Sequence, residues 1–204
     1  MKYPFLTKFL IFALGVGLDS TASAQLLSRA GGAMVYDTEQ NITWLADANY
    51  ADTQYKQSNG RLGFEAGRMD HRDALKWVSE LVYAGVSGWR LPKTKQPDTS
   101  CERQTVVGSH GFFCTGSEMG HLFYGDSDHG LGGKEQNHIN LIHNQNFQLF
   151  HNISDYGVYW YSDDFSSLPF IARNFEMRYG FSNAYSKSVL NNVWPVHDGD
   201  VGGK

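Results

Sequence analysis

Between Asp70 and Tyr124 four features follow one another in an order that constrains the fold more than any other part of the chain. An amphipathic segment runs from Asp70 to Ala84, and the tract Ala84-Gly85-Val86-Ser87-Gly88-Trp89-Arg90-Leu91-Pro92 follows it. Cys101 and Cys114 then bracket an insert, and a second short segment spans Ser117 to Tyr124. Ala74, Trp77, Val78, Leu81 and Val82 recur at helical spacing on one face. Asp70 suits an N-cap, Asp73 the acid-favouring first turn, and Gly85 the residue just past a helix end. Thr115-Gly116-Ser117-Glu118 reads as a capping box ahead of Met119, Leu122 and Phe123. The tract ending in Pro92 reads as a short strand whose Trp89 and Leu91 are covered by the two helices. Helix, strand, stapled insert and helix predict an α+β domain.

The first 24 residues read as a removable export signal. Lys2 and Lys8 give a positive start, Phe9 to Leu18 is a short apolar run, and Ala22-Ser23-Ala24 is a small-x-small cleavage site. That run is well short of the roughly 20 residues that span a bilayer, and no other stretch is apolar enough, so no transmembrane segment is expected. Cleavage leaves residues 25–204, enough for a single domain with an adequate core. It removes two lysines and one aspartate, leaving 15 basic against 20 acidic side chains. A nucleic-acid binder carries a basic stripe instead, so nucleic acid is not an expected partner. The chain's two cysteines, Cys101 and Cys114, are expected to pair in an oxidising compartment, periplasmic or extracellular. The alternatives are a reactive thiol or a thiolate metal site, but the spacing matches no Cys-x-x-Cys pattern.

Elsewhere two strands, Met34 to Asp37 and Ile42 to Leu45, are joined by a polar connection of hairpin length. Asp52 to Arg68 reads as a loop. Gly125 to Gly157 is a long polar stretch rich in Asn, His and Gly, and so long a loop in a compact domain is usually functional. Val158 to Ser162, Phe170 to Met177 and Val193 to His197 read as strands. Turn chemistry is expected at Arg178-Tyr179-Gly180 and Ser182-Asn183. Trp44, Trp77, Trp89, Trp160 and Trp194 lie on predicted elements, where burial is the default for indole rings. Arg90 is expected to anchor a partly buried ion pair with Glu118, with Pro92 closing the strand.

These residues resemble the Lcl C-terminal domain family, which takes its name from a bacterial collagen-like adhesin. The likeness is carried by Asp37-Thr38 with Asn41-Ile42-Thr43-Trp44-Leu45 and by Asp47-Ala48-Asn49-Tyr50-Ala51. It continues through Ala74-x-x-Trp77-Val78-x-x-Leu81, Gly88-Trp89-Arg90-Leu91-Pro92, and Cys114-x-x-Ser117-Glu118-Met119-x-His121-Leu122-Phe123-Tyr124. It closes with Tyr159-Trp160-x-Ser162 and Val193-Trp194-Pro195-Val196. The resemblance implies a C-type-lectin-like fold, with a mixed, mostly antiparallel sheet, two helices and a long loop. It also implies an exported bacterial protein, with a relative that binds sulfated polysaccharides. The chain departs from that relative in lacking collagen-like repeats, in its acidic balance and in carrying His197 where a basic residue is usual. Sulfate recognition relies on Lys and Arg, so these departures argue against a polyanion.

Signals for catalysis are thin. Gln96-Pro97-Asp98 matches a sugar-binding tripeptide of true C-type lectins, but no Trp-Asn-Asp strand accompanies it. Asp126 and Asp128 begin like a calcium loop, yet Gly130 and Leu131 fill positions that need a ligand and a turn glycine; they remain weak calcium candidates, and no other cofactor is implied. His121, His129, His138, His143 and His151 fit no zinc template. No Gly-x-Ser-x-Gly or Ser-x-x-Lys motif occurs. The expectation is a non-enzymatic recognition module for a glycan or cell-surface macromolecule. Its contact residues would come from the long loop: Asp126, Asp128, Asn137, Asn140, Asn144 and Asp155 for sugar hydroxyls, with Phe147 and Tyr156 as stacking faces. A structural protein that self-associates at the cell surface is the alternative, and a metal-dependent hydrolase using the His-rich loop is a third.

Overall fold

The computed structural model describes residues 25–203 apart from 107, 126–129, 133–143, 155 and 166–167. The expected export signal therefore lies outside the described residues. In the chain's first half come β1 (Leu26–Arg29), β2 (Met34–Asp37), β3 (Ile42–Leu45), α1 (Tyr50–Gln57), β4 (Arg68–Met69) and α2 (His71–Glu80). The stapled insert forms β5 (Arg103–Thr105) and β6 (Gly108–His110), and α3 (Glu118–Tyr124) follows. The last third supplies β7 (Val158–Asp164), β8 (Ile171–Glu176), β9 (Phe181–Ser186), β10 (Asn191–Asn192) and β11 (Val196–Asp198). One sheet has the order β1-β2-β3-β11 and a second β4-β10-β7-β8-β9, while β5 and β6 pair as a hairpin. Among the described strands every pairing is antiparallel except β10 with β7. The fold is α+β with mostly antiparallel sheets.

Two apolar clusters fill the space between these layers. Trp44 and Trp194 meet edge to face in the first, with Tyr159, Tyr161, Phe123 and Phe175 around them. In the second, Trp160, Trp89 and Leu91 pack with Met34, Leu45, Met69 and Val78. Buried indoles need a partner for the ring N–H, and three find a backbone carbonyl: Trp160 that of Met69, Trp194 that of Leu45 and Trp89 that of Val86. Trp77 is half-buried and donates to Gln54 Oε1 at 3.0 Å, tying α2 to α1.

Several local expectations are corrected. The stretch 52–68 is not all loop, because α1 occupies its start. That helix has a single buried residue, Ala51, so no apolar periodicity marks it; contacts from outside hold it, such as Phe64 N–H on the Ala51 carbonyl. Among the described residues the fold thus has three α-helices, not two. Asp70 caps α2 by accepting from the Asp73 N–H, but α2 ends at Glu80 and leaves Val82 exposed. Ala84 and Gly85 both take positive φ, 47° and 79°, in a tight turn where Tyr83 and Val86 exchange both backbone hydrogen bonds. Such a turn needs left-handed backbone at its two central residues, so Gly85 serves the turn and not a helix end.

At α3 the N-cap is Ser117, with no side-chain capping bond, and Glu118 turns outward to Arg90 in place of closing a capping box. The Trp89 tract is not a full strand. It joins the first sheet through one bridge, in which Arg90 and Val196 exchange backbone hydrogen bonds of 2.8 and 2.9 Å. Ser182 and Asn183 lie inside β9, and the β8–β9 turn spans 177–180. Regular pairing at the C-terminus covers β10 and β11, whereas Val193, Trp194 and Pro195 run between them as core-packed chain.

Candidate functional site

The Arg90 guanidinium holds Glu118 with two hydrogen bonds of 2.8 Å and also engages Asp198. Burial opposes its charge, yet the two carboxylates hold Arg90 above its ordinary range, while the bond to Arg90 keeps Asp198 below the usual carboxylate range. With Glu118 also accepting the Lys93 N–H, this network is saturated and fastens the buried Leu91-Pro92 segment to α3. Cys101 and Cys114 form a disulfide, with Cα atoms 4.1 Å apart. Beneath it Asp98, 2% exposed, accepts from the backbone N–H groups of Ser100 and Gly116. Asp98 with the two cysteines is the one metal-like grouping among the described residues. Its sulfurs are bonded to each other and are not thiolate ligands, so the tripeptide at 96–98 organises the insert.

The histidines are dispersed. His71, at the start of α2, is 1% exposed, contacts the Tyr161 carbonyl at 2.9 Å and has its pKa pushed below the ordinary value by burial. His121 stands 3.3 Å from Glu39 without hydrogen-bond alignment, and His151 stands 3.7 Å from Asp47. His129, His138 and His143 lie outside the described residues.

Of the expected ligand-contacting residues, Asp126, Asp128, Asn137, Asn140 and Asp155 also lie outside the described residues, so the calcium candidates do too. Asn144 is engaged in the loop's own geometry: its Oδ1 accepts the Phe147 N–H, and its Nδ2 donates to the Gly130 carbonyl. Phe147 packs against the first core cluster and is not a free stacking face. Tyr156 is different. It is 72% exposed, and the Arg178 guanidinium lies 4.5 Å from the centre of its ring.

Tyr156 stands at the edge of a cleft of about 320 Å³. One wall comes from the start of α1 and the turn before β4, through Asn49, Ala66 and Arg68; Ser154, Tyr156 and Val158 form the other. Leu190, Asn191 and Asn192 of the β10 segment join the two. Sequence reasoning missed all of these but Tyr156 as site residues. No short motif marks them, since Asn49 and Asn192 are 143 residues apart and meet only through the fold.

The amides are held in place. Asn192 Nδ2 donates to Asn49 Oδ1 at 3.3 Å and to the Ala66 carbonyl at 3.4 Å. Gly67 (φ 65°) makes this approach feasible, because a Cβ there would lie 1.7 Å from Asn49 Oδ1. Ala66 in one wall, and Asn152 two residues before Ser154 of the other, take left-handed backbone with φ of 55° and 58°. Asn191 is 6% exposed and its Nδ2 has no hydrogen-bond partner, a costly state for a buried amide.

Asp47 joins the walls from behind. It is 3% exposed and accepts the Asn49 N–H at 2.9 Å, the Thr53 hydroxyl at 2.5 Å and the Asn152 amide at 3.0 Å. A second, more open groove runs beside β1, but there the Arg29 guanidinium is spent on Asp200, through Nε and Nη2 at 2.8 Å, and on the Ser28 carbonyl. The amide-lined cleft is the stronger site. No family model, curated protein or solved structure matches this chain.

Proposed function

We propose that this protein is an exported recognition module that binds a glycan at the cleft between Asn49 and Tyr156. One observation carries the reading: preorganised amides stand inside a concave site whose rim bears an exposed, braced aromatic ring. Sugars offer hydroxyls for amide oxygens and an apolar ring face for an aromatic, and small-ligand sites are concave with a few fixed polar groups. The resemblance to the Lcl C-terminal domain, with its C-type-lectin-like fold and adhesive relative, supports the same reading. The disulfide suits an oxidising compartment, and no described helix is long and apolar enough to cross a membrane; both are compatible with export.

A glycan array probed with the purified protein, with and without calcium, tests the proposal. Tyr156→Ala should abolish the array signal and leave the melting temperature within about 1 °C, since exposed substitutions cost little. Undiminished binding by that variant moves the site elsewhere, and an array without any hit removes the glycan reading. A second reading, self-association at the cell surface, is favoured by the exposure of Phe170 and Leu190. Concentration-dependent mass in light scattering that Phe170→Ser abolishes would support it.

A further inference from the structure

We infer that the group the cleft reads is an acetamido substituent, so that its ligand is an N-acetylhexosamine; this rests on the glycan reading above. Asn192 supplies the first part of the argument. Its Nδ2 is committed to Asn49 and Ala66, which fixes the amide orientation and leaves Oδ1 as an acceptor with no partner among the described residues. Arg68 lies directly across the β4–β10 ladder from Asn192. Opposed residues on neighbouring antiparallel strands project from the same face within about 5.5 Å of each other. The Arg68 side chain is exposed and has no acidic partner among the described residues. A fixed acceptor beside a free guanidinium donor complements a secondary amide, whose N–H meets Asn192 Oδ1 while its carbonyl meets Arg68.

The apolar part of the lining supplies the second. Ala66, Val158 and Leu190 are aliphatic, and Leu190 is 60% exposed beside the amides of Asn191 and Asn192. With the apolar face of the ring laid on Tyr156, a sugar bearing hydroxyls alone turns only polar groups toward that surface, and a hydroxyl gains nothing from contact with it. The methyl of an acetamido group does, and its burial is favourable in proportion to the apolar area covered. The third part separates a sugar from a peptide, which also carries secondary amides. A cleft of about 320 Å³ lies near the lower end of small-ligand sites and takes a single substituted ring. Tyr156, with one face against Arg178, offers a flat platform for that ring.

Saturation-transfer NMR and titration calorimetry on the full chain test the inference. The probes are the methyl glycosides of N-acetylglucosamine and N-acetylgalactosamine, those of glucose and galactose, and N-acetylalanine methylamide as a peptide. The expected result is strongest saturation at the acetyl methyl, with the parent hexosides bound roughly tenfold more weakly or worse. Leu190→Ser should erase that preference while the melting temperature holds, and Arg68→Gln should weaken the acetamido glycosides and not the parent hexosides. Equal binding of parent and acetamido glycosides overturns the inference and leaves the glycan reading standing. Binding of the peptide alone overturns both. Absence of saturation from every probe overturns the inference, and the array then decides the wider reading.

Discussion

Trp89 shows what one side chain contributes to this fold. It is 2% exposed, meets the rings of Tyr83 and His197 edge-on and spends its N–H on the Val86 carbonyl. Trp89→Ala should therefore destabilise the protein by about 3–5 kcal/mol in denaturant melts, and an unchanged midpoint would place the ring outside the core. His71 allows a second prediction. Its pKa lies below the ordinary 6.5 because burial disfavours the charged imidazole, so the unfolded chain takes up the proton first. Stability should fall as pH drops through about 6.5 and level off below the lower folded value. Melting curves between pH 5 and pH 7.5 check this: His71→Asn should flatten the slope, and an equally steep slope in the variant assigns it to other groups. At this scale much was legible, because Trp44, Trp89, Trp160 and Trp194 lie on predicted elements, where burial is the default, and are buried in the fold. The amide orientation of Asn192 was not, since it depends on Asn49 and Ala66, both more than 100 residues earlier.

Among the elements, legibility followed amphipathicity. Helix α2 buries Ala74 and Val78 on one face and announces itself by that spacing. Helix α1 buries one residue and stands because Asp47, Gln54 and Phe64 tie it to its surroundings, so tertiary contacts override a pattern that points to loop. The strand read into the Trp89 tract shrank to a single bridge for a related reason. Its residues alternate suitably, but the backbone on one side of Arg90 is spent on Val196 and no other described strand pairs with it. The hairpin of β5 and β6 is held by its crosslink together with the buried Ser109, which bonds to Gln96, Asp98 and Arg173, since all three residues of β5 are exposed and contribute little burial. Replacing both Cys101 and Cys114 by Ala should cost about 3 kcal/mol of stability, the loop-closure entropy of a short loop. Hydrogen exchange should then rise first within residues 101–114; a uniform rise across the chain would show that the crosslink supports more than its own hairpin.

Across the whole molecule, Asp47 is the group on which both walls of the cleft converge. Asp47→Asn keeps the shape but turns donor against donor at Thr53 or Asn152, so exchange should quicken around residues 49–53 and 152–154 and glycan binding should weaken. An exchange pattern confined to one wall would assign Asp47 to that wall alone. Sequence reading could not assemble this site, because Asn49, Arg68, Tyr156 and Asn192 belong to four separate segments that only the β10 position brings together. That position has a longer consequence. Asn191 and Asn192 bridge β4 to β7 and so hold a sheet together while lining a binding site. Asn49 is likewise wedged against Gly67, where no larger residue fits. Drift at these positions would break the scaffold before it altered the ligand. Arg68, Tyr156 and Leu190 carry no such duty. As this lineage diversifies, the first group should change rarely and as a block, while new ligand preferences arise by exchange at the other three.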